Sequence, residues 1–113
     1  MAKVIISEEL ENEINKKFKK ESIEIFELLY SLEENSHKGK LIGNVGGIVI
    51  KKLKYKSFRF YFITDGYKLK IMDESKLVDL LIKFVRMSDK KDQQETINEI
   101  KQTLLNLGPR FFE

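Results

Sequence analysis

Residues 47–64 read GIVIKKLKYKSFRFYFIT, and this stretch decides the fold. It is dense in β-branched and aromatic residues, which favour strands. Lys56-Ser57 interrupts the apolar run in the middle. The pattern therefore predicts two strands, over 47–55 and 58–64, joined by a short turn.

Side chains alternate between the two faces of a strand, so each predicted strand divides into two sets. Phe58, Phe60 and Phe62 share one face of the second strand, and the residues between them share the other. If the Phe face packs inward, the opposite face of the sheet points outward and carries three cations and a phenol. These candidate outer residues are Lys52, Lys54, Arg59 and Tyr61.

The sequence before this stretch changes from strand to helix spacing. Residues 4–6 (VII) are long enough for an edge strand, and Ser7 is a suitable helix N-cap. Leu10, Ile14 and Phe18 then recur every four residues, which predicts an amphipathic helix. Ser22 is placed to cap a second helix, and two helices joined so closely form a hairpin.

The sequence after this stretch predicts two more strands and a final helix. Asp65-Gly66 favours a tight turn into a strand over 67–72, and an apolar strand follows over 77–86. Residues 89–107 have helical spacing, and Gly108-Pro109 ends that helix.

The predicted order is β-α-α-β-β-β-β-α in one domain over residues 1–113. This is an α+β fold, with an N-terminal helical hairpin packed on one side of a small antiparallel sheet and a C-terminal helix. The expected core is formed by Leu10, Ile14, Phe18, Phe26, Leu29, Phe58, Phe60, Phe62, Leu80, Ile82 and Phe84.

Composition excludes several classes of function. No apolar run approaches the roughly 18 residues of a membrane span, so no membrane partner is expected. The first residues lack the apolar stretch of a signal peptide, and we expect a cytoplasmic protein. With no Cys and one His, thiolate chemistry is excluded, and we expect neither a metal nor a cofactor.

The net charge of +3 conceals a strongly basic middle. Residues 36–91 hold 14 basic and 5 acidic residues, and residues 36–64 hold six Lys and one Arg with no acid. A phosphate polyanion suits such a segment; a solvated lysine-rich surface is the alternative. Lys51 and Lys56 belong to this segment, and Arg86 and Lys90 could extend the cationic surface beyond the last strand.

The order of these motifs resembles a known family. After the predicted helical hairpin come KGKL (38–41), GGIVIKKLK (46–54), FRFYF (58–62) and KFVRMSDKK (83–91), then a helix from near Glu95. Over about residues 8–107 this is similar to the RelE/HigB branch of the RelE/ParE toxin superfamily.

The resemblance implies a small toxin of a type II toxin–antitoxin pair. Most members cleave mRNA without a metal, commonly on the ribosome, while the ParE branch poisons DNA gyrase. The implied partners are a cognate antitoxin, mRNA and the ribosome, with a dimer or a toxin–antitoxin hetero-oligomer as the assembly. Position by position, the resemblance places Arg59, Lys52, Lys54 and Arg86 at the phosphate.

Combining the resemblance with the outer face gives a candidate active site. Arg59 and Lys52 would hold the phosphate under attack, and Tyr61 would stack on a base or carry a proton. The other candidate substrate-binding residues are Lys54, Arg86, Lys51, Lys56 and Lys90. Two departures from the family pattern, Ile50 in place of a lysine and no matching C-terminal tyrosine, leave a non-catalytic RNA- or ribosome-binding module or a gyrase-directed toxin as the alternative.

Overall fold

The computed structural model describes residues 2–71, 80–108 and 110. These residues form five strands and four α-helices. In chain order they are β1 (Lys3–Ile6), α1 (Glu8–Phe18), α2 (Ser22–Tyr30), β2 (Lys40–Val45), β3 (Ile48–Tyr55), β4 (Phe58–Asp65), α3 (Gly66–Ile71), β5 (Leu81–Asp89) and α4 (Gln93–Leu107). Within the described residues, no helix is both long enough and apolar enough to cross a membrane.

The strands form one sheet in the order β1-β5-β4-β3-β2. Strands β2 to β5 are antiparallel neighbours, whereas β1 runs parallel to β5, with Val4 opposite Ile82. The α+β class is confirmed, but the sheet is mixed, so the prediction of a purely antiparallel sheet was wrong. Whether β1 and β5 run parallel depends on the path of the whole chain between them. The residue pattern within either strand carries no information about that path.

Helices cover both faces of the sheet, which corrects the prediction of helices on one side. Helices α1 and α2 pack on the face that carries Phe60 and Phe62, and we call this layer the first core. Helix α4 packs on the opposite face through Ile97, Ile100 and Leu104. We call this layer the second core; its buried members are Ile50, Tyr61, Ile63, Val85, Ile97, Ile100 and Leu104.

The predicted core is mostly confirmed, and all of it lies in the first core. Phe18, Phe26 and Phe58 are only partly buried at its margin. The fully or nearly fully buried members are Leu10, Ile14, Leu29, Phe60, Phe62, Leu80, Ile82 and Phe84. The second core was not anticipated, because the face that holds it was expected to meet solvent.

Two elements differ from the sequence prediction. Residues 40–45 form β2, which pairs with β3 through a bulge between Leu41 and Gly43. Residues 66–71 form α3 instead of a strand, because the Asp65 carboxylate accepts hydrogen bonds from the Tyr67 and Lys68 backbone N–H groups at 3.0 and 3.1 Å. Those two bonds satisfy helix N-terminal donors, so Asp65 starts a helix where a hairpin turn was predicted.

Other predicted boundaries moved or lie outside the described residues. The Ser7 hydroxyl accepts from Leu10 N–H at 3.3 Å, which confirms the cap of α1. Strand β5 continues to Asp89, so α4 begins at Gln93 and not at residue 89. Met72, the predicted turn at 73–75, the first residues of the predicted strand at 77–79, and Pro109 are not among the described residues.

Candidate functional site

Four cationic side chains lie together on the α4 face of the sheet. Lys54 lies opposite Arg59 across β3 and β4, and Lys40 lies opposite Lys52 across β2 and β3. Directly opposed residues share a face, and so do alternate residues on one strand. We call Lys40, Lys52, Lys54 and Arg59 the cationic cluster. Three of them were predicted site residues; Lys40 was not, because β2 was not predicted.

Part of the cationic cluster lines an open cleft of about 350 Å³. Gly39 lies at its wall with φ +100°, and a Cβ there would lie 3.0 Å from the Phe62 ring and 3.1 Å from the Lys52 carbonyl oxygen. Only glycine adopts this conformation easily and lets the chain approach the sheet so closely. The cleft is lined by Lys38, Gly39, Lys40, Lys52, Leu53 and Lys54.

Gln93, the first residue of α4, joins two members of the cationic cluster. Its side-chain oxygen Oε1 accepts from Lys52 Nζ at 2.8 Å and from Arg59 Nε at 3.1 Å. Arg59 also donates from Nη1 to the Ser57 carbonyl oxygen at 2.9 Å. The guanidinium is therefore fixed at two points, and one neutral oxygen holds two cations next to each other.

The described residues supply no opposite charge to the cationic cluster. Across residues 2–71, 80–108 and 110, no carboxylate forms an ion pair with any of its four members. Lys52 and Arg59 were predicted to point outward into solvent, but they are only 8% and 6% exposed, because Gln93 in the first turn of α4 lies against both. Burial, and then the neighbouring charges of Lys40, Arg59 and Lys54, lower the pKa of Lys52. Like charges held this close to one another favour an anionic ligand.

Tyr61 was predicted to point outward, and this prediction was wrong. Its side chain does lie on the Arg59 face, but α4 covers it and its exposure is 0%. The hydroxyl shares a hydrogen bond of 2.7 Å with Ser88 Oγ, and burial raises the pKa of Tyr61. A sealed phenol cannot stack on a bound base or exchange a proton with one.

Lys51 lies on the face opposite the cationic cluster. Its Nζ donates to the His37 carbonyl oxygen at 3.0 Å and lies 5.9 Å from the centre of the Phe62 ring. Burial lowers the pKa of this lysine. Lys51 is therefore held by the first-core side of the sheet and does not line the cleft.

Lys56, Arg86 and Lys90, the other predicted binding residues, do not belong to the cationic cluster, although Arg86 lies on the same face of the sheet, opposite Tyr61. Lys56, in the β3–β4 turn, forms an ion pair with Glu21 at 2.5 Å. Arg86 pairs with Glu99 at 2.6 Å, in a cleft of about 310 Å³ with further acidic side chains. Lys90 is exposed just beyond β5, and the described contacts do not connect it with the cluster.

The part of the chain that the structure describes contains no group of three or more His, Cys, Asp or Glu side chains arranged to hold a metal ion. The site described above consists of the cationic cluster, the Gln93 amide between Lys52 and Arg59, and the open cleft that the three lysines of the cluster line. Neither a family model, nor a curated protein, nor a solved structure matches the chain. The fold and the site together describe an α+β domain with a lysine-lined cleft at one edge of its sheet.

Proposed function

We propose that the protein binds RNA through the cationic cluster, as the mRNA-directed toxin of a type II toxin–antitoxin pair. The observation that carries the proposal is the set of four cations on one sheet face, without a carboxylate partner among the described residues; its three lysines line an open cleft. Placing like charges together is unfavourable, and phosphates relieve that repulsion when they bind.

Two of the four cations are exposed and two are largely covered, and each pair could contribute differently to binding a phosphate backbone. Lys40 and Lys54 are exposed at the rim, where they can attract a polyanion from solution. Lys52 and Arg59 are largely covered and held by Gln93, so they can contact a phosphate with less loss of side-chain entropy. The resemblance to RelE/HigB toxins supports RNA as the polyanion and an antitoxin as the protein partner.

RNA cleavage is the activity that the same residues could perform. The ribose 2′-oxygen attacks the adjacent phosphorus and gives up its proton, and the bond to the 5′-oxygen breaks as that oxygen gains one. Arg59 and Lys52 would stabilise the charge that develops on the phosphorane. The lowered pKa of Lys52 supports a role in proton transfer, because it brings this amine closer to neutral pH.

A non-catalytic RNA- or ribosome-binding module, or a gyrase-directed toxin, is the second candidate. The burial of Tyr61 favours it, because the phenol expected to assist the reaction is sealed beneath α4. The cationic cluster is retained in either case. Binding and cleavage therefore need separate measurements.

The proposed antitoxin would be an acidic segment that lies over the cationic cluster. Such a segment supplies the carboxylates that the four cations lack among the described residues. It would also compete directly with RNA for the same cleft. We expect the protein to be toxic when expressed alone and tolerated when the product of a neighbouring gene is co-expressed.

The binding test is an RNA titration over a range of salt concentrations. If four phosphates are neutralised, the log–log slope for single-stranded RNA should be about −3. Lys52→Ala and Lys54→Ala should each make the slope less steep by roughly 0.7. Lys3→Ala, which removes the same charge from β1 at the other edge of the sheet, is the matched control and should leave the slope unchanged. An affinity that does not respond to salt would contradict the proposal.

The cleavage test uses the same protein with mRNA, with and without ribosomes, in the presence of a chelator. Cleavage that survives the chelator supports the enzyme. Salt-dependent binding without cleavage under any of these conditions supports the non-catalytic module.

A further inference from the structure

We propose that Gln93 is a positioning residue, which sets Lys52 and Arg59 side by side so that their remaining N–H groups meet a single phosphate. This inference rests on the proposed function and adds to it a residue that the sequence did not single out. Its basis is the shared acceptor: one amide oxygen binds Lys52 Nζ at 2.8 Å and Arg59 Nε at 3.1 Å.

A shared acceptor is needed because Lys52 and Arg59 repel each other. They lie on neighbouring strands, both largely covered, with further positive charge on Lys40 and Lys54. Without an acceptor between them, their side chains would separate or turn toward solvent. The Gln93 oxygen satisfies one donor on each and so fixes the spacing of the pair.

The choice of a neutral acceptor preserves the charge of the site. A carboxylate in the same position would form ion pairs with both cations and cancel much of the attraction for phosphate. The amide oxygen carries only a partial negative charge, so it orients the pair and leaves its net charge unchanged. Gln93 is also the first residue of a 15-residue helix, whose positive end adds to the potential.

Within the part of the chain that the structure describes, Lys52 and Arg59 each keep N–H donors beyond those bound to Gln93. Lys52 uses one of its three N–H bonds in the described contacts, and the Nη2 group of Arg59 has no partner among the described residues. No fully buried side-chain nitrogen in the described chain lacks a hydrogen-bond partner. The Nη2 group is therefore not fully buried, although Arg59 as a whole is only 6% exposed. A tetrahedral phosphate suits such a pair, since its oxygens can accept from both cations at once.

The test compares three glutamine variants in the full-length chain, with inorganic phosphate and RNA as separate probes. Gln93→Glu places the carboxylate between the cations, and Gln93→Ala removes the acceptor. Gln94→Glu makes the same charge change in the same helical turn, but Gln94 is exposed and donates to Asn98 at 3.0 Å. Gln94→Glu is therefore the matched control.

The first measurement is the titration of the Lys52 ammonium by NMR in the free protein. Gln93→Glu should raise the pKa of Lys52, and Gln93→Ala should lower it further, because a hydrogen bond that favours the charged form is lost. Gln94→Glu should leave it unchanged. A purely structural role for Gln93 would not shift this pKa in opposite directions, and amide spectra check that each variant is folded.

The second measurement is binding. Gln93→Glu should weaken both phosphate and RNA binding by at least about tenfold, and Gln93→Ala should weaken them about threefold or more. Equal behaviour of Gln93→Glu and Gln94→Glu, or tighter binding by Gln93→Ala, would overturn the inference. If the wild type binds phosphate and Lys52 responds as expected while RNA does not bind, the proposed function fails and the role of Gln93 stands.

Discussion

At the scale of single residues, Arg59 combines burial with restraint. Its exposure is only 6%, and hydrogen bonds to Gln93 and to the Ser57 carbonyl oxygen fix its guanidinium. A charged group is rarely covered in this way without an ion pair, and none is present among the described residues. Arg59 is therefore the residue whose loss should affect ligand binding most.

We predict that Arg59→Ala weakens RNA binding by roughly tenfold or more at low salt, because a fixed charge-assisted contact to phosphate is lost. If the protein cleaves RNA, the same change should slow cleavage by about 100-fold. Arg59→Lys should recover only part of either activity, since a lysine cannot reproduce the forked geometry. Filter binding and a gel-based cleavage assay measure the two effects.

Arg86→Ala is the control for this prediction. It removes the same charge, but Arg86 pairs with Glu99 in the acidic cleft and lies outside the cationic cluster. Its effect on RNA affinity should be severalfold smaller. Equal losses for the two variants would show that total charge, and not the cationic cluster, governs binding.

The sequence predicted the face on which each of these residues lies, but not what covers that face. Phe60 and Arg59 do point to opposite sides of the sheet, as their alternation requires. Alternation carries no information on whether the second side meets solvent or a helix. Tyr61 shows the consequence: it lies on the predicted side, yet α4 buries it completely. Gln93 was missed because a glutamine at the start of a helix has no distinguishing pattern.

At the scale of elements, a small network ties the β3–β4 turn to the helical hairpin. Lys56 occupies this turn with φ 54° and forms an ion pair with Glu21. The Tyr55 hydroxyl also donates to the Glu21 carboxylate, and it lies 3.1 Å from Glu24. These hydrogen bonds, first that from Lys56 and then that from Tyr55, lower the pKa of Glu21.

This network predicts an acid-sensitive contribution to stability. Because the pKa of Glu21 is lowered on folding from its ordinary value of 4.5, its stabilising effect is complete above that value. The effect is lost as the pH falls through the folded-state pKa. Glu21→Gln should therefore lower the Tm at neutral pH and reduce the fall in Tm on acidification. Thermal unfolding followed by circular dichroism measures both.

Glu27→Gln is the control for this prediction, because Glu27 is exposed on α2 and its side chain forms no hydrogen bond or ion pair among the described residues. It should leave the dependence of Tm on pH as it is in the wild type. The same dependence in Glu21→Gln and the wild type would show that the network does not contribute.

Two elements show where sequence patterns are ambiguous. Residues 67–72 alternate like a strand, but α3 forms because Asp65 caps the Tyr67 and Lys68 N–H groups. Residues 40–45 contain a glycine and an asparagine, which are typical of loops, yet they pair with β3 around a bulge. In both places a contact, the Asp65 cap or the pairing with β3, outweighs the local conformational preference of the residues.

Helix α4 should derive its stability from the second core. Ile100 is 2% exposed and packs among the buried residues on that face of the sheet. We predict that Ile100→Ala lowers the free energy of unfolding by about 2–5 kcal/mol. Leu105→Ala, on the same helix but 66% exposed, should change it by less than about 0.5 kcal/mol. Urea unfolding measures both, and similar losses would mean that α4 packs differently.

At the scale of the whole molecule, the sheet separates two cores of unequal size. Among the described residues, the helical hairpin packs in the first core and α4 packs in the second. The cationic cluster lies at the margin of the second core, where the first turn of α4 reaches Lys52 and Arg59. The first core was predictable, because the alternating Phe residues of β4 and the apolar residues spaced along α1 and α2 each form one continuous face. The sequence did not reveal the second, whose sheet-side members are scattered among polar residues.

The parallel pairing of β1 with β5 has a consequence for synthesis on the ribosome. β1 is made before every other described element, but its partners, from Leu81 to Phe84, are added only after α1, α2, β2, β3 and β4. Until then the β5 edge of β4 is open and both cores lack β5 side chains, among them Phe84 in the first and Val85 in the second. Contacts so distant in sequence close late and fold slowly. A nascent chain therefore remains without its complete sheet until β5 has been made, and without the residue that holds the cation pair until α4 follows.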